Sequence, residues 1–355
     1  MSTRMYRLLD ANLNRATEGL RVLEDIARFT ADDAVLSTEL RRMRHALADL
    51  LKPVDVQLLS NRDSAGDVGR ESGLRVGGER DLLSVIRANA KRVEESLRVV
   101  EEVARLSESG LELDASAAER LRYQAYDIEK RLAGRVVRSQ RARLVDGLYV
   151  VVDREAAGVR SIEELTREAI DGGARVVQLR DKTGDRGDVY RSAAALNLIC
   201  RERDALSIVN DYCDVAAAVG AAGLHIGQRD MPLDAVRRVL PLDTIVGVSC
   251  ETAEDVRCAL DQGADYVAVG AIFPTSQKPD YVLSGLGALR EARGMVGNVP
   301  LVAIGGITLQ NVSSVIDAGA DAVAVIGAVT MQADVRRAAE DMIAAIQTAK
   351  RVRGT

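Results

Sequence analysis

The sequence predicts an α/β protein, in which an all-α helical domain with an internal repeat precedes a TIM (βα)8 barrel. Three observations lead there. Residues 1–143 are helical in pattern with few β-branched runs, whereas beyond Leu144 short Val- and Ile-rich runs alternate with helical stretches. Eight such runs follow one another, each with a helical stretch behind it. Within the first part, the phrase Ala11–Glu24 (ANLNRATEGLRVLE) recurs as Ala88–Glu101 (ANAKRVEESLRVVE).

In chain order, the two copies of the repeat come first. Leu13, Ala16, Leu20, Leu23 and Ala27, and again Val93, Leu97, Val100 and Ala104, fall three and four apart, the stripe of a core-facing helix. A second helix follows each copy, through Leu40–Leu51 and Leu121–Leu132, which predicts a pseudo-twofold four-helix bundle. Glu18 with Arg21, Glu24 with Arg28, Glu95 with Arg98 and Glu101 with Arg105 read as surface ion pairs worth ~0.2–0.5 kcal/mol each. The polar, Gly-rich stretch Ser60–Gly73 between the copies is longer than most connections, and its Arg62, Asp63, Asp67 and Gly69 suit a phosphate ligand. Arg135–Arg143 reads as a linker that prolongs the preceding helix. The expected domains are thus 1–143 and 144–355, and they are expected to be separable.

The eight runs lie at 148–152, 175–179, 206–209, 223–226, 244–248, 266–269, 300–304 and 322–326. Gly-Ala-Asp before the sixth and the eighth marks repeated helix-to-strand turns with Gly at the helix C-cap. An open doubly wound sheet is the competing architecture. The barrel is preferred because polar residues stand at the C-terminal ends of nearly all the runs, where a barrel would gather them in one place.

Composition narrows the function. The 355 residues suffice for about two domains at ~100–200 residues each. With 47% hydrophobic and 28% charged residues, the chain has the make-up of a folded protein, and no apolar run approaches the ~20 residues of a membrane span. Met1–Asp25 has no secretory apolar core, which assigns the chain to the cytoplasm. A net charge of -5, two histidines and no tryptophan argue against nucleic-acid binding and His-based catalysis. Cysteines 200, 213, 250 and 258 lack paired or zinc-ligand spacing. Homo-oligomerisation stays open.

The second strand ends Gln178-Leu-Arg180-Asp-Lys182, so alternation turns Gln178 and Arg180 toward the barrel axis, with Lys182 just beyond. Lys278 follows the sixth strand, and this convergence of cations suits an anion. Asp211 and Asp230 follow the third and fourth strands and make a hard-oxygen site suited to one Mg²⁺ in the barrel, which takes one or two carboxylates plus substrate phosphates and water. Their alternative reading is as helix caps. His225 reads as a packed structural histidine. Gly305-Gly306 and Gly327, after the seventh and eighth strands, read as a second, backbone-lined phosphate site or as tight turns.

Together QLRDK (Gln178–Lys182), Asn210-Asp211-Tyr212, HIGQRD (His225–Asp230), Gly247–Ser249, Thr275–Lys278 and IGGI (Ile304–Ile307) resemble the motif series of the thiamine phosphate synthase family. The resemblance spans roughly 144–350. It implies a transferase joining 4-amino-2-methyl-5-hydroxymethylpyrimidine diphosphate to a thiazole phosphate, carboxylated or not, giving thiamine phosphate and pyrophosphate. It implies that Gln178, Arg180, Asp181, Lys182, Asn210, Ser249 and Lys278 contact the pyrimidine diphosphate. Among these Lys278, Arg180 and Ser249 would act in catalysis, and Asp211 and Asp230 would hold Mg²⁺. Thr275, Ser276, Gln277, Gly306, Ile326 and Gly327 would line the thiazole phosphate side. Gln277 and Gly327 stand where the family usually has hydroxyl residues. The N-terminal half resembles the domain fused ahead of this synthase in some bacteria, associated with a pyrimidine phosphate kinase role, although no Gly-rich nucleotide loop occurs in 1–143. Two other readings compete with catalysis of this kind. One is a phosphosugar isomerase on the same barrel, which would need a Glu or His base near the site; the other is a non-catalytic phosphate-binding barrel with a helical assembly domain.

Overall fold

The computed structural model describes residues 3–62, 81–106, 113–276 and 282–354. Close contacts divide the chain into two units, Met1–Val137 and Arg138–Thr355.

The first unit is all helical: α1 (Thr3–Phe29), α2 (Ala34–Leu51), the short α3 (Asp55–Ser60), α4 (Leu82–Arg105) and most of α5 (Ala115–Ala142). The spacing of apolar residues sets what each helix buries, so Ala16, Leu20 and Leu23 of α1 meet Val93, Leu97 and Val100 of α4 in one core. Asp33 and Asp81 fix two of the helix starts, accepting from the backbone N–H of Leu36 at 2.9 Å and of Ser84 at 2.7 Å. Gly19 lets α1 and α4 close in, since a Cβ there would lie 2.7 Å from Val93 Cγ2. The repeat extends to polar detail. Asn12 Nδ2 donates to Leu8 O, and Asn89 Nδ2 to Val85 O, both at 2.8 Å.

Of the surface pairs that spacing suggests, Glu101 with Arg105 forms, at 2.7 Å, but Glu101 and Glu24 are both buried and their further partners differ from those expected. Glu24 is 2% exposed and Glu101 is fully buried. Glu24 accepts from Arg41 Nε at 3.1 Å and Arg44 Nη2 at 3.1 Å, both on α2, while Arg28 lies over the Phe29 ring. Glu101 accepts from Arg122 Nε of α5 at 3.0 Å and pairs with Arg98 and Arg105 of its own helix. Arg21 reaches Asp25 at 3.3 Å instead of Glu18, and Lys91 meets Glu95 at 3.8 Å. The physical reason is that i,i+3 and i,i+4 spacing describes only one helix, whereas the neighbouring helix both buries these carboxylates and brings their counter-charges. Burial pushes both carboxyls up, but the guanidinium groups outweigh it and hold them below the usual carboxylate range. Arg62 grips Asp10 through Nε at 2.8 Å and Nη2 at 2.6 Å. Asp63, Asp67 and Gly69 lie outside the described residues.

The second unit is a closed, all-parallel barrel in the order β1 to β8: β1 (Gly147–Asp153), β2 (Val176–Arg180), β3 (Leu206–Asn210), β4 (Gly223–Ile226), β5 (Ile245–Cys250), β6 (Tyr266–Val269), β7 (Leu301–Ile304) and β8 (Ala322–Val325). The eight observed strands coincide with the eight apolar runs to within two residues at either end. Outward Val, Leu and Ile side chains such as Val150, Val177, Leu224 and Val323 pack under the surrounding helices. Inward residues form a separate cluster, including Tyr149, Val151, Ile208, Tyr266 and Ala324. Gly247 makes room for the Tyr266 ring, which a Cβ would meet at 1.9 Å.

Contacts part at Val137/Arg138, ahead of the 143/144 boundary read from composition. The end of α5 supplies the reason. Arg138 Nε donates to buried Asp265 at 3.2 Å and Arg141 Nη2 to Asp243 at 2.9 Å. Ala142 and Val145 pack with the inward residues at the N-terminal ends of the strands, closing that end of the barrel. Among the described residues, no helix is long and apolar enough to cross a membrane.

Candidate active site

Alternation along parallel strands delivers one inward side chain at the C-terminal end of each strand: Arg180 on β2, Asn210 on β3 and Ser249 on β5 all face a cavity of about 750 Å³. Gln178 lies one inward position deeper on β2, His225 on β4 is the register partner of Asn210, and Lys182, Asp211 and Asp230 stand on the loops that follow β2, β3 and β4. The opposite wall is made by Thr275, Ser276, Gly306, Ile326 and Gly327. Gly305 and Gly306 have φ of 101° and 64°, backbone that suits glycine, and a Cβ on Gly306 would come within 2.5 Å of Pro274 O. Gln277 and Lys278 lie outside the described residues.

Charge is concentrated on the β1 to β4 side. The guanidinium of Arg180 pairs with Asp153, whose Oδ1 also accepts from the backbone N–H of Glu155 and Ala156 at 3.0 Å. The ammonium of Lys182 pairs with Asp211. Asp211 has a left-handed backbone (φ 63°), uncommon for a residue with a Cβ, and its N–H donates to His225 O at 2.8 Å. Asp230 accepts from Gly227 N–H at 2.6 Å. Burial pushes the Asp230 carboxyl up, the adjoining Asp211 carboxyl adds to that, and Lys182 opposes it. Neither aspartate caps a helix: the following helices begin after Tyr212 and Pro232, without a side-chain cap.

Asp181 does not line the cavity. It is one residue out of phase with Gln178 and Arg180, and its Oδ1 accepts from the N–H groups of Thr183 at 3.1 Å and Gly184 at 2.7 Å, shaping the turn after β2. His225 is packed, in line with the reading from sequence, yet it also borders the cavity. Burial lowers its pKa to about 4, with Asp230 pulling the other way, so the ring is neutral near pH 7.

Sequence reasoning missed Asp153, Tyr149 and Tyr266. Tyr149, Val151 and Asp153 share the inward phase of β1, which was the available signal. A run of hydrogen bonds crosses the cavity floor: Gln178 Nε2 to Tyr149 Oη (3.0 Å), Tyr149 Oη to Tyr266 Oη (3.1 Å), Tyr266 Oη to His225 Nδ1 (3.1 Å) and His225 Nε2 to Ser249 Oγ (2.9 Å).

Cations, a carboxylate pair and a glycine-lined wall thus surround one cavity. A family model described as thiamine monophosphate synthase matches residues 148–329, and the ThiD2 family model matches 7–131. The chain is 38% identical over 333 residues to the thiamine-phosphate synthase of Nostoc punctiforme, covering 93% of this chain and 90% of that one. It is 39% identical over 336 residues to that of Thermosynechococcus vestitus, covering 93% and 92%. A solved thiamine phosphate pyrophosphorylase from Pyrococcus furiosus is 37% identical, with a TM-score of 0.54 over 59% of this chain and 98% of that chain.

Proposed function

The chain belongs to the thiamine monophosphate synthase family, and from that premise we propose that its barrel cavity joins an aminopyrimidine methyl diphosphate to a thiazole phosphate. The protein is a transferase of thiamine biosynthesis, a thiamine phosphate synthase. The observation that carries the assignment of the site is the convergence of Gln178, Arg180, Lys182, Asn210, Asp211 and Ser249 on one cavity.

The C–O bond between the pyrimidine CH₂ and the diphosphate breaks, pyrophosphate leaves with the electron pair, and the thiazole nitrogen supplies the pair for the new C–N bond. Departure leaves a cation delocalised into the electron-rich pyrimidine, so the chain mainly neutralises the leaving group, and no protein nucleophile is required. Arg180, oriented by Asp153, and Lys182 bring positive charge to the diphosphate. Lys278 is the third cation of this reading. Ser249 and Asn210 donate hydrogen bonds, and Gln178 orients the ring from the cavity floor. Thr275, Ser276, Gln277, Gly306, Ile326 and Gly327 receive the thiazole phosphate through backbone and side-chain donors.

The residues present fit Mg²⁺. Two adjoining carboxylates, Asp211 and Asp230, already attract an ammonium group, that of Lys182, and their oxygen-only donor set is what Mg²⁺ takes alongside phosphate and water. Among the described residues no larger His, Cys, Asp or Glu cluster competes for a metal. Held there, Mg²⁺ would supply further positive charge to the leaving diphosphate. Incubating the purified protein with both phosphorylated heterocycles and Mg²⁺ should yield thiamine phosphate and pyrophosphate in equal amounts; a folded protein that yields neither would overturn the proposal.

For residues 1–143, of which 7–131 match the ThiD2 family model, we propose as a second reading a separate step on the pyrimidine phosphate that depends on Arg62 and Asp67. With a nucleoside triphosphate supplied as the phosphoryl donor, Arg62→Ala in the full chain should then abolish phosphorylation of the pyrimidine phosphate while leaving condensation of the ready-made diphosphate intact. Equal loss of both, or of neither, would count against it.

A further inference from the structure

The hydrogen bonds across the cavity floor form one run that can be polarised in either of two ways. In the polarity in which Gln178 donates through Nε2 to Tyr149 Oη, the Tyr149 proton turns to Tyr266 Oη, the Tyr266 proton to His225 Nδ1, and the His225 Nε2–H to Ser249 Oγ. Ser249 then keeps its own hydroxyl proton for the cavity, and Gln178 keeps its Oε1. The opposite polarity also satisfies every proton, but only if all five groups reverse together and the amide turns over. A mixed arrangement leaves a buried hydroxyl or ring nitrogen facing its like, which is costly because Tyr149, Tyr266 and His225 are at most 9% exposed. The states of Gln178 and Ser249 are therefore coupled across the barrel.

We propose that Tyr149, Tyr266 and His225 are positioning residues that set substrate specificity, holding Gln178 as an acceptor and Ser249 as a donor so that the cavity selects an amino-substituted pyrimidine over its oxo counterpart. An exocyclic amine donates to Gln178 Oε1. An oxo group cannot, and meeting it requires the whole run to reverse. Removing a link in the middle frees Gln178 to turn without disturbing Ser249. The inference rests on the reading of this cavity as the pyrimidine diphosphate site.

The test is calorimetric binding of the 4-aminopyrimidine methyl diphosphate and of its 4-oxo counterpart to the full chain with Mg²⁺, in the absence of thiazole phosphate. Wild type should prefer the amino compound. Tyr266→Phe keeps the ring that fills the space beside Gly247 and removes one hydroxyl, and it should lower the preference by about 3- to 10-fold, the worth of one net hydrogen bond. Tyr149→Phe breaks the next link and should lower it similarly, which keeps the test available if one variant fails to fold. Equal weakening of both ligands, or an unchanged ratio, in a folded variant overturns the proposal. If wild type binds neither compound, the reading of the site falls and takes the proposal with it; wild type that binds the amino compound and makes thiamine phosphate, with variants of unchanged ratio, sinks this inference alone.

Discussion

Asp153 and Arg180 are register partners at the C-terminal ends of β1 and β2, and the carboxylate of the first holds the guanidinium of the second. The carboxylate is itself fixed, because it caps the short helix α6 (Arg154–Ala157) and is 4% exposed. One buried aspartate thus ties the start of a helix to the aim of a cation in the cavity.

Replacing that carboxylate separates the two roles. Asp153→Asn keeps an oxygen to cap α6 but removes the charge that steadies Arg180. We expect kcat/KM for the pyrimidine diphosphate to fall by about 10- to 100-fold, the ~1.5–3 kcal/mol of a charge-assisted hydrogen bond, with little change in thermal midpoint. Steady-state kinetics at fixed thiazole phosphate check this, and a wild-type kcat/KM would show that Arg180 needs no such support.

Glu101 offers a stability prediction in the first unit. Its fully buried carboxylate is ringed by Arg98, Arg105 and Arg122, so Glu101→Gln leaves cations without their counter-charge and should cost about 3–5 kcal/mol. Its pKa is lower folded than unfolded, so this stabilisation is complete above the unfolded Glu value of about 4.3 and is lost as pH falls toward the folded value. Thermal melts between neutral and acid pH should therefore show a steeper decline for wild type than for the variant; parallel curves would contradict the assignment.

How far the sequence alone reveals this molecule depends on the range of the interaction concerned. Strand positions were legible because β-branched runs and inward alternation are local, and that alternation placed Gln178 and Arg180 correctly. Asp181 shows its limit, since a residue inside a motif can sit in the wrong phase to face the cavity. Glu24 and Glu101 were misread as surface residues because Arg41, Arg44 and Arg122 come from other helices, beyond any i,i+4 pattern. Asp153 caps α6 and also holds Arg180, and the second role is not legible because Arg180 stands on another strand, beyond any local pattern.

The end of α5 makes the position of a truncation matter. A fragment 138–355 keeps Arg138 on Asp265 and Ala142 within the closed end of the barrel, whereas 144–355 loses both. Synthase turnover should survive in 138–355, and its thermal midpoint should exceed that of 144–355 by several degrees, about 2–4 °C per kcal/mol for a domain of this size. Differential scanning calorimetry of the two fragments decides it: equal midpoints would show that the end of α5 contributes nothing to the barrel.

The most direct test of the barrel cavity as the synthase site is the turnover of Asp211→Asn at saturating Mg²⁺ and both substrates, set against wild type. Asp211 pairs with Lys182, adjoins Asp230 and takes no part in capping a helix. Loss of a preorganised electrostatic group of this kind should lower kcat by ~10²-fold or more in a protein that melts normally. Turnover within a few-fold of wild type would contradict the account and place the chemistry elsewhere.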